Sequence, residues 1–224
     1  MEPIKPMEAM SPSTLDRIKN NYIIQAWLVL ILAFGFGALL AGMQIALSPT
    51  IEANKVNETL QKVPELVLGK NKADQLAQNN KTLTIQPKLI EVEKMGKKVS
   101  YNVFEAKHGD GKLAGWVTKA KGQGYADKIE LLIGLDPKVK SITGLFVLEQ
   151  KETPGLGNKI ITDKWRNQFI KKNTHQSLEV TKTGAKSPHE IDAVTGATIS
   201  SRSVCDIINT TIRDLKKPLL AAHK

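Results

Sequence analysis

The chain has 224 residues, 41% of them hydrophobic, with 32 Lys and Arg against 22 Asp and Glu for a formal net charge of +10. That length holds one ordinary globular domain plus a further segment. The single cysteine, Cys205, excludes an internal disulfide and a cysteine-held iron–sulfur centre, and His108, His175, His189 and His223 lack mutual metal-ligand spacing.

The further segment comes first. Between Tyr22 and Leu47 the only strongly polar side chains are Gln25 and Gln44. As a helix the run spans ~37 Å at ~1.5 Å per residue, enough to cross a hydrocarbon core of ~30 Å with some tilt. It exceeds the apolar region of a signal peptide, and Pro49 after Ala46-Leu47-Ser48 disfavours cleavage there, so the reading is an uncleaved transmembrane anchor over residues 22–47. Tyr22 and Trp27 suit an interfacial belt. Lys5, Arg17 and Lys19 precede the span and Lys55 is the first cation after it, a bias toward a short cytoplasmic N-terminus over residues 1–21, with the folded part on the outer, periplasmic face. Residues 1–47 hold three cations and three carboxylates, so the positive charge lies beyond the anchor. The basic residues are scattered and no zinc-finger or RNA-binding motif occurs, which argues against nucleic acid and for acidic partners or lipid.

Residues 48–98 read as a membrane-proximal segment, with a short helix from Ile51 to Lys62 and an unpatterned stretch from Lys70 to Lys81. Strand signals strengthen from Val99. Tyr101 to Lys107 alternates, Gly109-Asp110-Gly111 turns, and Lys112 to Lys121 returns as a hairpin. After a glycine-rich turn at Gly122-Gln123-Gly124-Tyr125, two strands run from Ile129 to Leu135 and from Ile142 to Leu148 across an Asp136-Pro137-Lys138 turn, and they read as the centre of a sheet. Glu152-Thr153-Pro154-Gly155-Leu156-Gly157 follows, an irregular backbone that serves either as a strand-to-helix connection or as a ligand loop. Ile161, Trp165 and Phe169 predict a helix over 158–171, and Leu178 to Lys182 a short strand.

The stretch from Asp192 to Ser201, DAVTGATISS, ends an apolar segment, turns through small residues and starts a helix. Val204, Ile208, Ile212 and Leu215 give that helix its apolar face, and Lys216, Lys217 and Pro218 predict its end, leaving 218–224 as a tail. Cys205 falls on the apolar face as a small buried hydrophobe. Thr195, Thr198, Ser200, Ser201 and Ser203 crowd the helix mouth, where unpaired N–H groups and the macrodipole attract an anion. Physical chemistry alone leaves two readings, an ordinary hydroxyl cap or an anion site. Strand hairpins followed by late helices give an α+β class, a two-layer domain with a central antiparallel sheet over residues 99–217.

Two of these strings carry a resemblance. Thr195-Gly196-Ala197-Thr198 resembles the Ser/Thr-Gly-Ala-Thr signature of the FMN-binding domain found in the G subunit of Rnf electron-transport complexes and the C subunit of the sodium-pumping NADH:quinone oxidoreductase, and Glu152 to Gly157 resembles the family's second hallmark. The Gly122 to Asp127 turn keeps only part of a Gly-Tyr-Gly pattern common there. The resemblance implies FMN held by a phosphoester to Thr198, with Thr195, Gly196, Ala197, Ser200 and Ser201 around it. It also implies that Glu152, Thr153, Pro154, Gly155, Leu156 and Gly157 lie beside the isoalloxazine ring, Leu156 covering a face and Glu152 fixing the loop. An unactivated threonine is a poor nucleophile and no His or Lys adjoins it in the stretch, so attachment needs outside help. The resemblance supplies it as a flavin transferase that uses a flavin dinucleotide and a metal ion. No Gly-x-Gly-x-x-Gly opens a βαβ unit, so a nicotinamide site is not expected. The implied role is an electron-relay subunit with no catalytic residues or metal of its own, working with the membrane and soluble subunits of an Rnf-type ion-translocating ferredoxin:NAD oxidoreductase in a bacterial inner membrane. The alternatives are the quinone-reductase C subunit and a membrane-anchored flavin-sensing or assembly module.

Overall fold

The computed structural model describes residues 21–94 and 96–222. The expected cytoplasmic segment, with Lys5, Arg17 and Lys19, therefore lies outside the described residues apart from Asn21. The chain divides into two compact units at Asn54/Lys55. In the first, the apolar run is helical from Tyr22, where the Asn21 side-chain oxygen accepts from the N–H groups of Ile23 and Ile24 at 3.0 and 3.4 Å and caps the helix start. This helix, α1 (Tyr22–Leu68), is long and apolar enough to cross a membrane by length and composition. The anchor expected over 22–47 and the short helix expected from Ile51 to Lys62 are thus one continuous helix that runs through Pro49. A proline forfeits one backbone donor and crowds the preceding turn, yet helix formers on both sides carry the helix through.

The second unit is built on a five-stranded antiparallel sheet: β1 (Thr84–Lys94), β2 (Lys97–Lys107), β3 (Leu113–Gln123), β4 (Lys128–Leu135) and β5 (Ile142–Glu149), ordered as they occur in the chain. The expected hairpins are all present, but of the two strands expected at the sheet's centre only β4 is interior, and β5 forms an edge. The sheet begins at Thr84, however, ahead of Val99. Leu89-Ile90 breaks strict alternation and Pro87 is tolerated because β1 is an edge strand, so the segment lacks an obvious strand signature.

Alternation on the strands creates two apolar faces. Val103, Trp116, Ala120, Leu131, Ile133 and Leu135 point one way, into the main core, where they meet Val204, Ile208, Ile212 and Leu215 of the C-terminal helix. Phe104, Ala106, Val117 and Leu132 point the other way and are covered by Val63, Leu66 and Val67 at the end of α1. That helix end sits close to the sheet because Gly134 and Gly144, paired across β4 and β5, present no side chain there. A Cβ on Gly134 would lie 2.3 Å from the Leu66 carbonyl oxygen, and one on Gly144 would lie 2.9 Å from Leu66 Cα. The hydroxyl of Thr143 donates to the same Leu66 oxygen at 2.6 Å, satisfying one of the carbonyls that a helix C-terminus leaves unpaired. A short second helix, α2 (Lys70–Gln78), follows.

Beyond β5 the expected helix over 158–171 is a series of short turns, 3₁₀ over Gly157–Ile161, α3 (Asp163–Arg166), and 3₁₀ again over Asn167–Phe169. Thr162 is extended at the break. Trp165 and Phe169 are nonetheless buried, with rings edge-to-face at 5.0 Å, so burial of the two aromatics and not a continuous hydrogen-bond ladder secures this segment. β6 (Glu179–Thr181) and β7 (Glu190–Asp192) pair in parallel. The last helix, α4 (Thr198–Ala222), continues through Pro218, where termination was expected, because Leu215 and Leu219 remain fully buried on either side of it. Cys205 is buried on this helix, and its thiol is pushed up to about 12 by desolvation, with Asp206 adding to the effect.

Gly144→Ala should lower the unfolding free energy of the full chain in detergent by about 1–3 kcal/mol, because the added methyl meets backbone that cannot move aside. The check is a shift in denaturant midpoint at unchanged m-value. A neutral Ala would mean that the end of α1 does not rest on this glycine pair.

Candidate functional site

The site assembles around a buried carboxylate. Glu152, 4% exposed, lies three residues past the end of β5. Its backbone N–H donates to the Gln150 side chain at 2.6 Å, which turns the glutamate inward. One carboxylate oxygen then accepts from the hydroxyl of Ser200, on the first turn of α4, at 2.6 Å. The other accepts from the N–H of Ala126, in the β3–β4 turn, at 3.2 Å. Hydrogen bonds to a charged acceptor are each worth about 1.5–3 kcal/mol, so this carboxylate joins three segments distant in sequence.

The packing around it is tight enough to specify glycines. A Cβ on Gly124 would come within 2.2 Å of the carboxylate, and one on Gly157 within 2.9 Å of both Glu152 and the Ser200 oxygen. The Glu152–Gly157 loop is folded on itself by Leu156 and Asn158 N–H groups donating to the Thr153 carbonyl at 3.2 and 3.3 Å.

The Ala193–Thr198 turn is positioned from the other side. Trp165 Nε1 donates to the Asp192 carbonyl at 2.8 Å, and Gln168 accepts from the Asp192 N–H at 2.8 Å. Inside the turn, the buried Ser201 hydroxyl accepts from Val194 N–H at 2.9 Å and donates to the Ala197 carbonyl at 3.0 Å. Gly196 holds φ +79°, a conformation costly for a residue with a Cβ. Leu156 Cδ2 would lie 3.0 Å from a Cβ placed there, so the two loops touch at this point.

Between them lies a cleft of about 720 Å³, in the range of small-molecule and cofactor sites. Of the residues expected at a site, Glu152, Thr153, Leu156, Gly157, Thr195, Gly196, Ala197, Thr198 and Ser200 line it. Three do not. Pro154 and Gly155 are exposed on the outer side of their loop, and Ser201 is spent on the turn's internal hydrogen bonds. Tyr125, Lys182, Ala193, Val194 and Ile199 line the cleft as well and were not expected there. Ala193, Val194 and Ile199 adjoin the expected residues in the chain, whereas Lys182 arrives only through the pairing of β6 with β7.

The cleft lining combines apolar side chains with hydrogen-bond donors. Tyr125, Leu156 and Ile199 are 64%, 45% and 54% exposed, an unusual apolar rim that a flat ring would cover. At the helix mouth, Ser201 N–H donates to the carbonyl of Ala197, the residue before α4, so the N–H groups of Thr198, Ile199 and Ser200 precede the helical ladder. The Thr198 hydroxyl makes no hydrogen bond among the described residues. Small residues, an apolar rim and a donor-rich helix mouth fit a flavin nucleotide, ring at the rim and phosphate at the mouth.

Residues 124–213 match the family profile described as FMN-binding domain. The chain is 33% identical over 110 residues to the G subunit of an ion-translocating oxidoreductase complex of Methanosarcina acetivorans, covering 49% of this chain and 55% of that one. It is 35% identical over 106 residues to the G subunit of a Na(+)-translocating ferredoxin:NAD(+) oxidoreductase complex of Acetobacterium woodii, 46% of this chain and 50% of that one. It is 31% identical over 109 residues to the C subunit of a Na(+)-translocating NADH-quinone reductase of Vibrio anguillarum, 46% and 42%. The chain thus spans about half the length of the curated relatives it matches. A crystal structure of NqrC from Shewanella oneidensis superposes with a TM-score of 0.59 at 20% identity, over 75% of this chain and 99% of that one, a likeness of fold. The matched segment contains the Tyr125 turn, the Glu152 loop and the Thr198 turn together, so the cleft lies within the part of the chain that is similar to the FMN-binding domain.

Glu152→Gln presents an amide to two donors that both need an acceptor. It should cost about 1–3 kcal/mol of stability, read from denaturant unfolding, and should loosen the Thr198 turn more than the β1–β2 hairpin, read by hydrogen exchange. Equal protection in both places would remove Glu152 from the centre of the site.

Proposed function

We propose that this FMN-binding domain carries its flavin covalently, on Thr198, and serves as an electron-relay subunit of an Rnf-type ion-translocating ferredoxin:NAD oxidoreductase. The observation that carries the reading is the Thr198 hydroxyl, without a partner among the described residues, at the first position of a 25-residue helix and in the wall of a flavin-sized cleft. Attachment consumes a flavin adenine dinucleotide. Thr198 Oγ1 loses its proton and forms a bond to the FMN phosphorus, the bond from that phosphorus to the AMP oxygen breaks, and AMP leaves. The Ser200 hydroxyl is committed to Glu152 and no base adjoins Thr198 in the acceptor turn, so a separate flavin transferase with a metal ion performs the step. The first-turn N–H groups of α4 stabilise the negative charge the phosphate retains.

FMN, when bound, exchanges one or two electrons and so links partners that differ in electron number. What this chain adds is placement. Leu156 and Ile199 give the ring an apolar seat, Thr153 offers a hydroxyl to its polar edge, and the Glu152 knot keeps the two loops at a constant separation. Residues 22–47 anchor the domain in a bacterial inner membrane, residues 1–21 remain cytoplasmic, residues 48–98 lead away from the membrane and residues 99–217 hold the flavin on the outer face. The relatives' names support the complex, and the length and apolarity of α1 support the anchor. The C-subunit role in a sodium-pumping NADH:quinone reductase is the second reading, favoured by the 31% identity to the Vibrio anguillarum protein.

Chain purified from a host with the transferase should exceed its sequence mass by FMN less water, with the addition on the peptide containing Thr198, and should fluoresce in a denaturing gel. Thr198→Val should abolish the addition while shifting the thermal midpoint by less than about 4 °C, the effect of a change below about 1 kcal/mol. An unmodified wild-type chain, or an adduct that persists in the variant, would end the assignment. Co-purified subunits, identified by mass spectrometry, separate the ferredoxin-linked from the quinone-linked complex.

A further inference from the structure

One charge in the cleft has no task in the attachment as described. Glu152, the only carboxylate lining the cleft, is turned to Ala126 and Ser200. Lys182 is the only cationic side chain lining it, and it has no hydrogen bond or ion pair among the described residues. Its nearby counterparts are engaged: Lys151 pairs with Asp127 at 3.5 Å, and Lys172 donates to the Glu190 carbonyl at 2.8 Å.

Its place is set by tertiary pairing. The parallel ladder puts Thr181 level with Asp192, and Ala193 N–H donates to the Thr181 carbonyl at 2.8 Å. The residues that leave the two strands, Lys182 and Ala193, therefore depart side by side. Lys182 flanks the start of the acceptor turn and lines the same cleft as Thr195, Gly196 and Thr198. Tyr125 and Leu156, which form the apolar rim with Ile199, come from the β3–β4 turn and the Glu152 loop.

Resting on the reading that FMN is esterified to Thr198, we propose that Lys182 is the positioning residue for the nucleotide's phosphate. It supplies the full positive charge that the helix mouth lacks and draws the phosphate to Thr198 Oγ1 before the ester forms. A helix N-terminus offers only about half an elementary charge, in partial form, whereas an ammonium makes a charge-assisted bond. Because Lys182 is exposed, water and salt screen it, so its contribution is a modest factor that falls with ionic strength. The Lys182–His189 loop, with Gly184 at φ +88°, gives the long side chain room to follow the phosphate.

The test uses the full chain in detergent, with Thr198→Val to isolate non-covalent binding, titrated with FMN and with riboflavin, which differ by the phosphate alone. Lys182→Gln should weaken FMN by about three- to tenfold, leave riboflavin unchanged and lose its effect in high salt, and Lys182→Arg should restore most of the loss. Equal weakening of both ligands would put Lys182 at the ring or in the fold of the cleft, and no change would leave it outside the site. Either outcome overturns the proposal. Where neither ligand binds at millimolar concentration, the initial rate of FMN transfer to otherwise wild-type chain by purified transferase decides. Lys182→Gln should slow it by about three- to tenfold at low salt, and an unchanged rate overturns the proposal. Wild-type chain that never acquires FMN would instead overturn the attachment itself.

Discussion

The site depends on one hydrogen-bonded carboxylate. Glu152 is buried without a cationic partner among the described residues and satisfied by one hydroxyl and one backbone amide, from the first turn of α4 and from the β3–β4 turn. A carboxylate removed from water is costly unless its lone pairs are met. The chain therefore has a strong reason to bring those two donors to it and to keep them there. Gly124 and Gly157 are consequences of the same constraint, since any side chain at either position would occupy the volume of the carboxylate or of the Ser200 hydroxyl. The cleft is the space left over when three segments are held at the distances this cluster imposes.

Rigid surroundings make that constraint effective. The antiparallel sheet buries both faces, one under α4 and the aromatic turns that follow β5, the other under the end of α1. β4 contributes to both cores, β5 pairs with it at the edge of the sheet, and the Glu152 loop leaves directly from β5, so the carboxylate is delivered from a strand fixed to the sheet interior. Trp165 and Gln168 extend the same rigidity to the other loop through the backbone of Asp192. Both loops can then remain polar, exposed at their tips and low in side-chain bulk without losing their relative position.

Much of this was legible from local pattern. Alternation with period two marked β2 to β5, a run of apolar residues marked the start of α1, and the four-residue spacing after Val204 marked α4. The Glu152–Gly157 and Thr195–Thr198 strings were legible as backbone that something approaches closely. Proline misled at Pro218, since its cost is a lost donor and local crowding, which burial of Leu215 and Leu219 outweighs. β1 was missed because an edge strand tolerates a proline and an irregular apolar pattern that a central strand would not.

What the sequence determined by itself was whatever rests on neighbours in the chain: the strands and their turns, the helix with hydroxyls at its mouth, and the residue types able to receive a phosphate. Only the tertiary structure decided which of those residues meet. Ser200 and Ser201 are adjacent in sequence, yet one reaches across to Glu152 and the other staples its own turn, because a helix points successive side chains about 100° apart. Lys182 reaches the cleft that Thr198 lines because two three-residue strands pair in parallel, and Gly134 and Gly144 matter because a helix end from far upstream rests on them. Long-range pairing is settled by the packing of the whole domain, and no local spacing encodes it.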